Sequence, residues 1–167
     1  MNKNILILII TLVFSLCGAS SSYAVNVGES VKLVTTTLDG KSFDLAALKG
    51  KVVIVHFWAT WCASCREEMP ALDDFYRNHH AEGVEVMAIG MDRPRARDKV
   101  AAYMKDFHMP ASLISDASDN GFSAPAILPV TYIIATDGTV SRILTPDREM
   151  LTRQSLHDVI LPMLPKH

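Results

Sequence analysis

Phe57-Trp58-Ala59-Thr60-Trp61-Cys62-Ala63-Ser64-Cys65-Arg66-Glu67-Glu68-Met69-Pro70 is the stretch around which the rest of this chain is organised. An apolar run from Val52 to Trp58 precedes the cysteines, and apolar residues recur at spacings of three and four after them. The pattern predicts a strand followed by a helix, with Cys62 and Cys65 at their junction. A Cys-x-x-Cys pair in that position is typical of reversible dithiol–disulfide chemistry.

The composition indicates one ordinary domain. The chain has 167 residues, of which 49% are apolar and 20% are charged, which suits a single core and argues against disorder. The formal net charge is −2, and no basic cluster is available to displace counterions from phosphate groups. We therefore expect a globular protein that does not bind nucleic acid, and we expect it to be a monomer.

Residues 1–24 have the pattern of a secretory signal peptide. Lys3 is followed by an uncharged apolar stretch from Ile5 to Cys17, and small residues lead to Ser22-Tyr23-Ala24. Cleavage after Ala24 would leave a domain of residues 25–167 in the periplasm or another extracytoplasmic compartment. An uncleaved membrane anchor is the alternative, although the apolar stretch is shorter than the ~20 residues that a spanning helix needs.

The cysteine count supports a reactive pair. Removal of the signal peptide would take Cys17 with it and leave Cys62 and Cys65. A disulfide across so short a loop constrains the unfolded chain little and therefore stabilises the fold little. Outside the cytoplasm such a pair can persist oxidised or be cycled. A redox function explains it better than a structural one.

Apolar patterning and turn residues predict strands that alternate with helices. This order predicts a mostly parallel sheet, made mixed by a closing hairpin, with helices on both faces. Residues 116–127 are rich in turn formers and are predicted to form turns, with room for one helical turn. The predicted strands form a leading hairpin (31–37 and 42–45), three single strands (52–58, 84–91 and 111–114) and a second hairpin (130–135 and 139–144). The predicted helices run from Cys62 towards Gly83, over 95–107 and over 147–164. The helix at 95–107 is predicted to bury Val100, Ala101, Met104 and Phe107.

With this order of elements, the motif Phe57-Trp58-Ala59-x-Trp61-Cys62-x-x-Cys65 resembles the thioredoxin superfamily. The run from Cys65 to Leu72, the signal peptide and the leading hairpin are similar to its exported TlpA/ResA/CcmG-like branch. The resemblance covers nearly all of the predicted mature chain. It implies a thioredoxin-like α/β fold with an N-terminal β-hairpin extension. Ala63-Ser64 between the cysteines departs from the family's usual residues, and these residues tune the reduction potential.

The predicted helix start determines the roles of the two cysteines. Free backbone N–H groups and the helix dipole stabilise an anion there, so Cys62 is predicted to be the attacking thiolate. Cys65, one turn further in, would attack the mixed disulfide, release the substrate and close the Cys62–Cys65 redox disulfide.

Cys65 must lose a proton before it attacks, and two residues are candidates to accept it. His56, on the strand beneath, would point towards the pair if the strand register matches the family's; its neutral imidazole could act as a base. The alternative is a histidine satisfied by a backbone carbonyl or water. Glu68 falls where the resemblance implies an active-site glutamate, and partial burial would raise its pKa. A solvated first-turn acid is the alternative there.

Substrate contacts are predicted at three residues. Trp61 is expected to cover the disulfide and to meet substrates. Pro129 matches the cis-proline loop of the family, and Leu128 before it would offer backbone groups to an extended substrate segment. The resemblance also implies that Pro70 kinks the active-site helix.

We therefore predict an exported thiol:disulfide oxidoreductase that reduces protein disulfides and uses no cofactor or metal beyond the Cys62–Cys65 pair. The resemblance implies apocytochrome c as one possible substrate and a membrane thiol-redox partner of the DsbD/CcdA type. A thiol oxidase or isomerase of the same fold is one alternative. An exported copper-binding chaperone is another, although such proteins use Cys-x-x-x-Cys with a distal histidine. The Pro-x-x-x-Thr-x-x-Cys context of a peroxidatic cysteine is absent, which speaks against a peroxidase.

Overall fold

A computed structural model describes residues 25–122 and 124–164. The predicted signal peptide lies outside these residues, so its cleavage and the domain boundary at residue 25 stay predictions. Within the described part of the chain, no helix is both long enough and apolar enough to cross a membrane.

The described residues form eight strands, three α-helices and several short 3₁₀ turns. The strands are β1 (Leu33–Thr36), β2 (Ser42–Asp44), β3 (Val52–Trp58), β4 (Val84–Gly90), β5 (Ala111–Leu113), β6 (Ala117–Asn120), β7 (Val130–Ile134) and β8 (Val140–Leu144). The α-helices are α1 (Ala63–His79), α2 (Arg97–Met104) and α3 (Arg153–Ile160).

Strand β3 lies at the centre of the main sheet, whose order is β5-β4-β3-β7-β8. It pairs in parallel with β4 and antiparallel with β7, so the predicted mixed sheet is confirmed. All seven residues of β3 are buried, as its continuous apolar run predicts for a strand covered on both faces. In this register His56 pairs with Ala88 on β4 and Thr131 on β7.

The two faces of the main sheet are covered differently. Val52, Ile54 and Trp58 belong to a core that includes buried residues of all three α-helices, whereas Val53 and its alternate neighbours belong to a second core. The thioredoxin-like fold is as predicted, but the α-helices of the described chain share one face instead of both. Strands β3, β4 and β5 are added in one direction, and right-handed crossovers then place α1 and α2 on the same side.

A small sheet of order β2-β1-β6 contributes to the second core. The pairing of β1 with β2 confirms the predicted leading hairpin. The prediction of turns alone, with one helical turn, at 116–127 is wrong, because the segment contains β6, which pairs antiparallel with β1. The sequence of β6, Ala-Ser-Asp-Asn, lacks apolar alternation, so the backbone of β1 determines this strand and local propensity does not.

Two helices are shorter than predicted. A 3₁₀ turn at Pro94–Ala96 precedes α2, which ends at Met104, and Ala101 is exposed where burial was predicted. The last helix begins only after Thr152, whose hydroxyl accepts the N–H of Ser155 in a capping box. That cap accounts for the late start, which the apolar spacing did not reveal.

Candidate active site

The two cysteines lie at the junction of β3 and α1. Cys62 is the N-cap residue of α1, in extended conformation, and the backbone N–H of Cys65 donates to its Sγ at 3.2 Å. A disulfide joins the two residues, with 5.3 Å between their Cα atoms. Cys62 keeps 8% of its surface exposed and Cys65 none. Of the two cysteines, only Cys62 therefore has surface that a substrate can contact, which is the arrangement that the motif predicts.

A groove of about 800 Å³ opens beside Cys62. Trp61, which is 66% exposed, and Met91, which directly follows β4, both line it. The residues that line it are largely apolar; they are Trp61, Cys62, Ala63, Ser64, Glu67, Met91, Pro125, Ala126, Ile127 and Leu128. An extended peptide with apolar side chains fits such a surface.

The predicted substrate residues divide into two groups. Trp61 and Leu128 both line the groove, whereas Pro129 is buried directly before β7 and is not among the lining residues. The Leu128–Pro129 peptide bond is cis, as the resemblance implied.

Glu68 lies on α1, three residues after Cys65, and therefore on the same side of the helix. Its side chain is buried, with 5% of its surface exposed. The Oε1 atom accepts the backbone N–H of Leu151 at 3.3 Å, and Oε2 has no hydrogen-bond partner. Burial raises the pKa of the carboxyl to about 7, although the bond from Leu151 opposes the shift. The carboxyl can take up or release a proton near neutral pH.

His56 is fully buried in β3 and, by strand alternation, faces the same core as Ile54 and Trp58. Its Nδ1 lies 2.9 Å from Oγ1 of Thr131, and Nε2 has no partner. Burial lowers the pKa of the imidazole to about 4. His56 is therefore uncharged at neutral pH and is a weak base.

Sequence reasoning missed a clamp that holds the active-site loop. Asp92, buried two residues after β4, accepts the backbone N–H of Thr60 at 2.9 Å and its hydroxyl at 2.6 Å. The N–H of Met91 also donates to the carbonyl of Trp58 at 2.8 Å. A signal was available, because an acidic residue at the carboxyl end of a neighbouring parallel strand lies at the same edge of the sheet.

The region described, residues 25–122 and 124–164, contains no group of three or more His, Cys, Asp or Glu side chains that could hold a metal ion.

Comparisons with known proteins agree with this geometry. Residues 27–143 match the model of the AhpC/TSA family. A thiol-disulfide oxidoreductase ResA of Bacillus cereus is 30% identical over 151 residues, which cover 84% of this chain and 87% of the relative.

Two solved structures show the same fold. A secreted thiol-disulfide isomerase from Corynebacterium glutamicum superposes with a TM-score of 0.67 at 19% identity, covering 87% of this chain and 94% of that one. A thiol:disulfide interchange protein of the thioredoxin family from Chlorobium tepidum gives 0.62 at 22%, covering 82% and 99%. The match to the family model and the identity to ResA establish that the chain belongs to the AhpC/TSA family and, within it, to the ResA-like thiol-disulfide oxidoreductases.

Proposed function

We propose that this protein is an extracytoplasmic reductase of protein disulfides. The observation that supports the proposal most directly is the position of Cys62 at a helix start, where it lines an apolar groove and keeps some exposed surface while Cys65 is fully buried. In the reduced protein, the Cys62 thiolate attacks one sulfur of a substrate disulfide. A mixed disulfide forms, and the substrate's other sulfur leaves as a thiolate that takes a proton from water.

The second step returns the substrate fully reduced. Cys65 gives up its proton and attacks the Cys62 sulfur, which breaks the mixed disulfide and releases the second substrate thiolate. The Cys62–Cys65 disulfide closes, so two electrons have passed from the protein to the substrate. This exchange needs no bound cofactor, because both electrons come from the dithiol itself.

Glu68 is the proposed acceptor of the Cys65 proton. An acid–base group works best when its pKa lies near the working pH. The pKa of Glu68 is raised to about 7, whereas that of His56 is lowered to about 4. Glu68 also leaves one carboxyl oxygen without a partner, which is free to accept a proton.

The charges around Cys62 favour reduction over oxidation. A strongly oxidising disulfide needs a reduced form that is stabilised, usually by a cation close to the thiolate. Among the described residues that line the groove, Glu67 is acidic and none is a lysine, arginine or histidine. Cys62 Sγ accepts one backbone N–H and lies 3.5 Å from the hydroxyl of Ser64. This modest stabilisation suits a disulfide that is hard to reduce, and therefore a dithiol that donates electrons.

The family resemblance supports a narrower role. We propose the haem-binding cysteines of apocytochrome c as a candidate substrate, because their oxidation to a disulfide would block haem attachment. Electrons would come from a membrane thiol-redox partner of the DsbD/CcdA type. Export by residues 1–24 would place the protein on the side of the membrane where that exchange occurs, and a mature N-terminus at Val25 in the periplasmic fraction would test this.

Cleavage of insulin disulfides in the presence of dithiothreitol tests the proposed activity. The wild-type protein is expected to accelerate precipitation of the insulin B chain, and a Cys62→Ser variant is expected to do nothing. No acceleration by the wild type would refute a disulfide reductase.

A Cys65→Ser variant is expected to retain substrates as mixed disulfides with Cys62, since the resolving sulfur is gone. Mass spectrometry of the trapped partners would identify the substrate, with Cys62→Ser as the control that traps none. Equilibration with glutathione would then give the reduction potential, and a potential as high as that of a strong oxidase would contradict the reductase direction.

A further inference from the structure

Asp92 is a buried carboxylate whose only described partners belong to one residue of the active-site loop. It keeps 5% of its surface exposed, and its two oxygens accept from the backbone N–H and the hydroxyl of Thr60. A buried charge is costly unless hydrogen bonds compensate it. An aspartate that served only to end strand β4 could lie in solvent without that cost.

The residue that Asp92 binds is separated from the attacking cysteine by only a short stretch of the chain. Thr60 lies two residues before Cys62, and the N–H of Cys62 donates to the carbonyl of Ala59 at 3.1 Å. The loop from Trp58 to Cys62 is thus a tight turn, attached to the end of β4 by the bonds to Asp92 and by the Met91–Trp58 bond. Only three loop residues, Ala59 to Trp61, separate β3 from the N-cap of α1.

We propose that Asp92 is a positioning residue for thiol–disulfide exchange: by holding Thr60, it fixes Cys62 at the start of α1, where the N–H of Cys65 donates to Sγ. The thiolate depends on that donor and on the helix dipole, and both effects fall off steeply with displacement. Met91, which precedes Asp92, lines the groove together with Trp61. The bonds between Asp92 and Thr60 therefore also set the distance between the Cys62 sulfur and Met91 in the lining of the groove.

The inference rests on the proposed redox chemistry of Cys62, but its test requires no substrate. The reduced full-length mature protein is alkylated with iodoacetamide between pH 5 and pH 10, and mass spectrometry follows the rate at Cys62. The midpoint of that profile reports how well the thiolate is stabilised. Glu67, the charged side chain that lines the groove with Cys62, and the buried His56 and Glu68 remain unchanged in every variant.

Thr60→Val removes the hydroxyl donor while Asp92 stays in place. The midpoint is expected to rise, and alkylation at pH 7 to slow by a factor on the order of three to ten, because the loop loosens and the carboxylate loses a compensating donor. Thr60→Ser keeps the hydroxyl and is expected to restore the wild-type profile. An unchanged midpoint in Thr60→Val would overturn the proposal.

A double-mutant cycle tests whether Asp92 is the partner that matters. In an Asp92→Ala background, which removes both carboxylate oxygens, Thr60→Val is expected to cause no further shift, because the hydroxyl of Thr60 has already lost its acceptor. An equal shift in both backgrounds would show that Thr60 acts without Asp92 and would overturn the proposal.

Asp73 supplies a matched control for lost stability. This second buried carboxylate, on α1, accepts the N–H groups of His108 and Met109 at 2.6 and 2.9 Å, at a place that is not part of the groove. Asp73→Asn is expected to lower the free energy of unfolding but to leave the Cys62 profile unchanged. A shift of the same size in Asp73→Asn would show that general loosening explains the effect, and the positioning role would fall. Failure of insulin reduction by the wild type would refute the proposed function and leave these alkylation results standing.

Discussion

Strand β3, before the disulfide, and helix α1, after it, each bury a titratable side chain, His56 and Glu68. Burial shifts the pKa values of these two side chains in opposite directions. His56 on β3 and Glu68 on α1 each leave one polar atom without a partner. Burial disfavours charge in both cases, so the pKa of His56 falls to about 4 and that of Glu68 rises to about 7. The same physical cause thus removes the histidine from neutral acid–base chemistry and brings the glutamate into it.

Glu68→Gln is the change expected to affect turnover most. An amide cannot accept the Cys65 proton, so release of substrate from the mixed disulfide should slow by roughly tenfold to a hundredfold near pH 7. Acid quenching followed by mass spectrometry would measure the Cys62–substrate adduct as it accumulates. Asp106→Asn, at an exposed acid after α2, is the charge-matched control and should behave as the wild type. Wild-type turnover in Glu68→Gln would show that solvent takes the proton.

The same variant should change how stability depends on pH. The folded pKa of Glu68 is raised from 4.5 to about 7, so the native state holds the extra proton and loses that advantage as the pH rises through 7. At pH 8 Glu68→Gln should exceed the wild type in free energy of unfolding by on the order of 3 kcal/mol, and at pH 4 the two should agree. Urea unfolding of the oxidised proteins at both pH values measures this. A parallel pH dependence of the two proteins would contradict the raised pKa.

His56 should make the free energy of unfolding depend on pH in the opposite direction. Its folded pKa is lowered from 6.5 to about 4, so the stability that a neutral imidazole allows is present above 6.5 and is lost as the pH falls towards 4. Between pH 7 and pH 5 the wild type should lose about 2 kcal/mol more than a His56→Asn variant. Comparing each protein with itself at the two pH values cancels the cost of the altered packing. An equal loss in both proteins would mean that His56 is charged or exposed.

His56→Asn should have the smallest effect on turnover. The introduced amide retains a polar atom near the position of Nδ1, which can still bond to Thr131, and a base with a pKa near 4 contributes little at pH 7. Insulin reduction should fall by less than about threefold. A loss as large as that of Glu68→Gln would reverse the assignment and make His56 the proton acceptor.

Much of the fold and of the site could be predicted from local patterns. The seven residues of β3 are apolar apart from His56, and the sheet buries all of them. The hairpin between β7 and β8 turns at Asp137-Gly138, where Gly138 adopts a φ of 90° that side chains disfavour. By contrast, β6 was missed because its sequence, Ala-Ser-Asp-Asn, has no apolar alternation. The Asp92 clamp was missed because Asp92 resembles a strand-ending turn residue and its partner lies 32 residues away.

The sequence by itself determined that an apolar strand meets a helix at Cys-x-x-Cys, and therefore that one sulfur lies at a helix start with the other a turn inside. Spacing along the chain suffices for that, because helices and strands have fixed periods. Only the tertiary structure decided how the nearby groups ionise and what holds the loop. The loss of water around a side chain depends on all the residues packed against it, and many of these come from distant segments, as Thr131 beside His56 and Leu151 beside Glu68 do. A local sequence pattern does not show which distant residues these are.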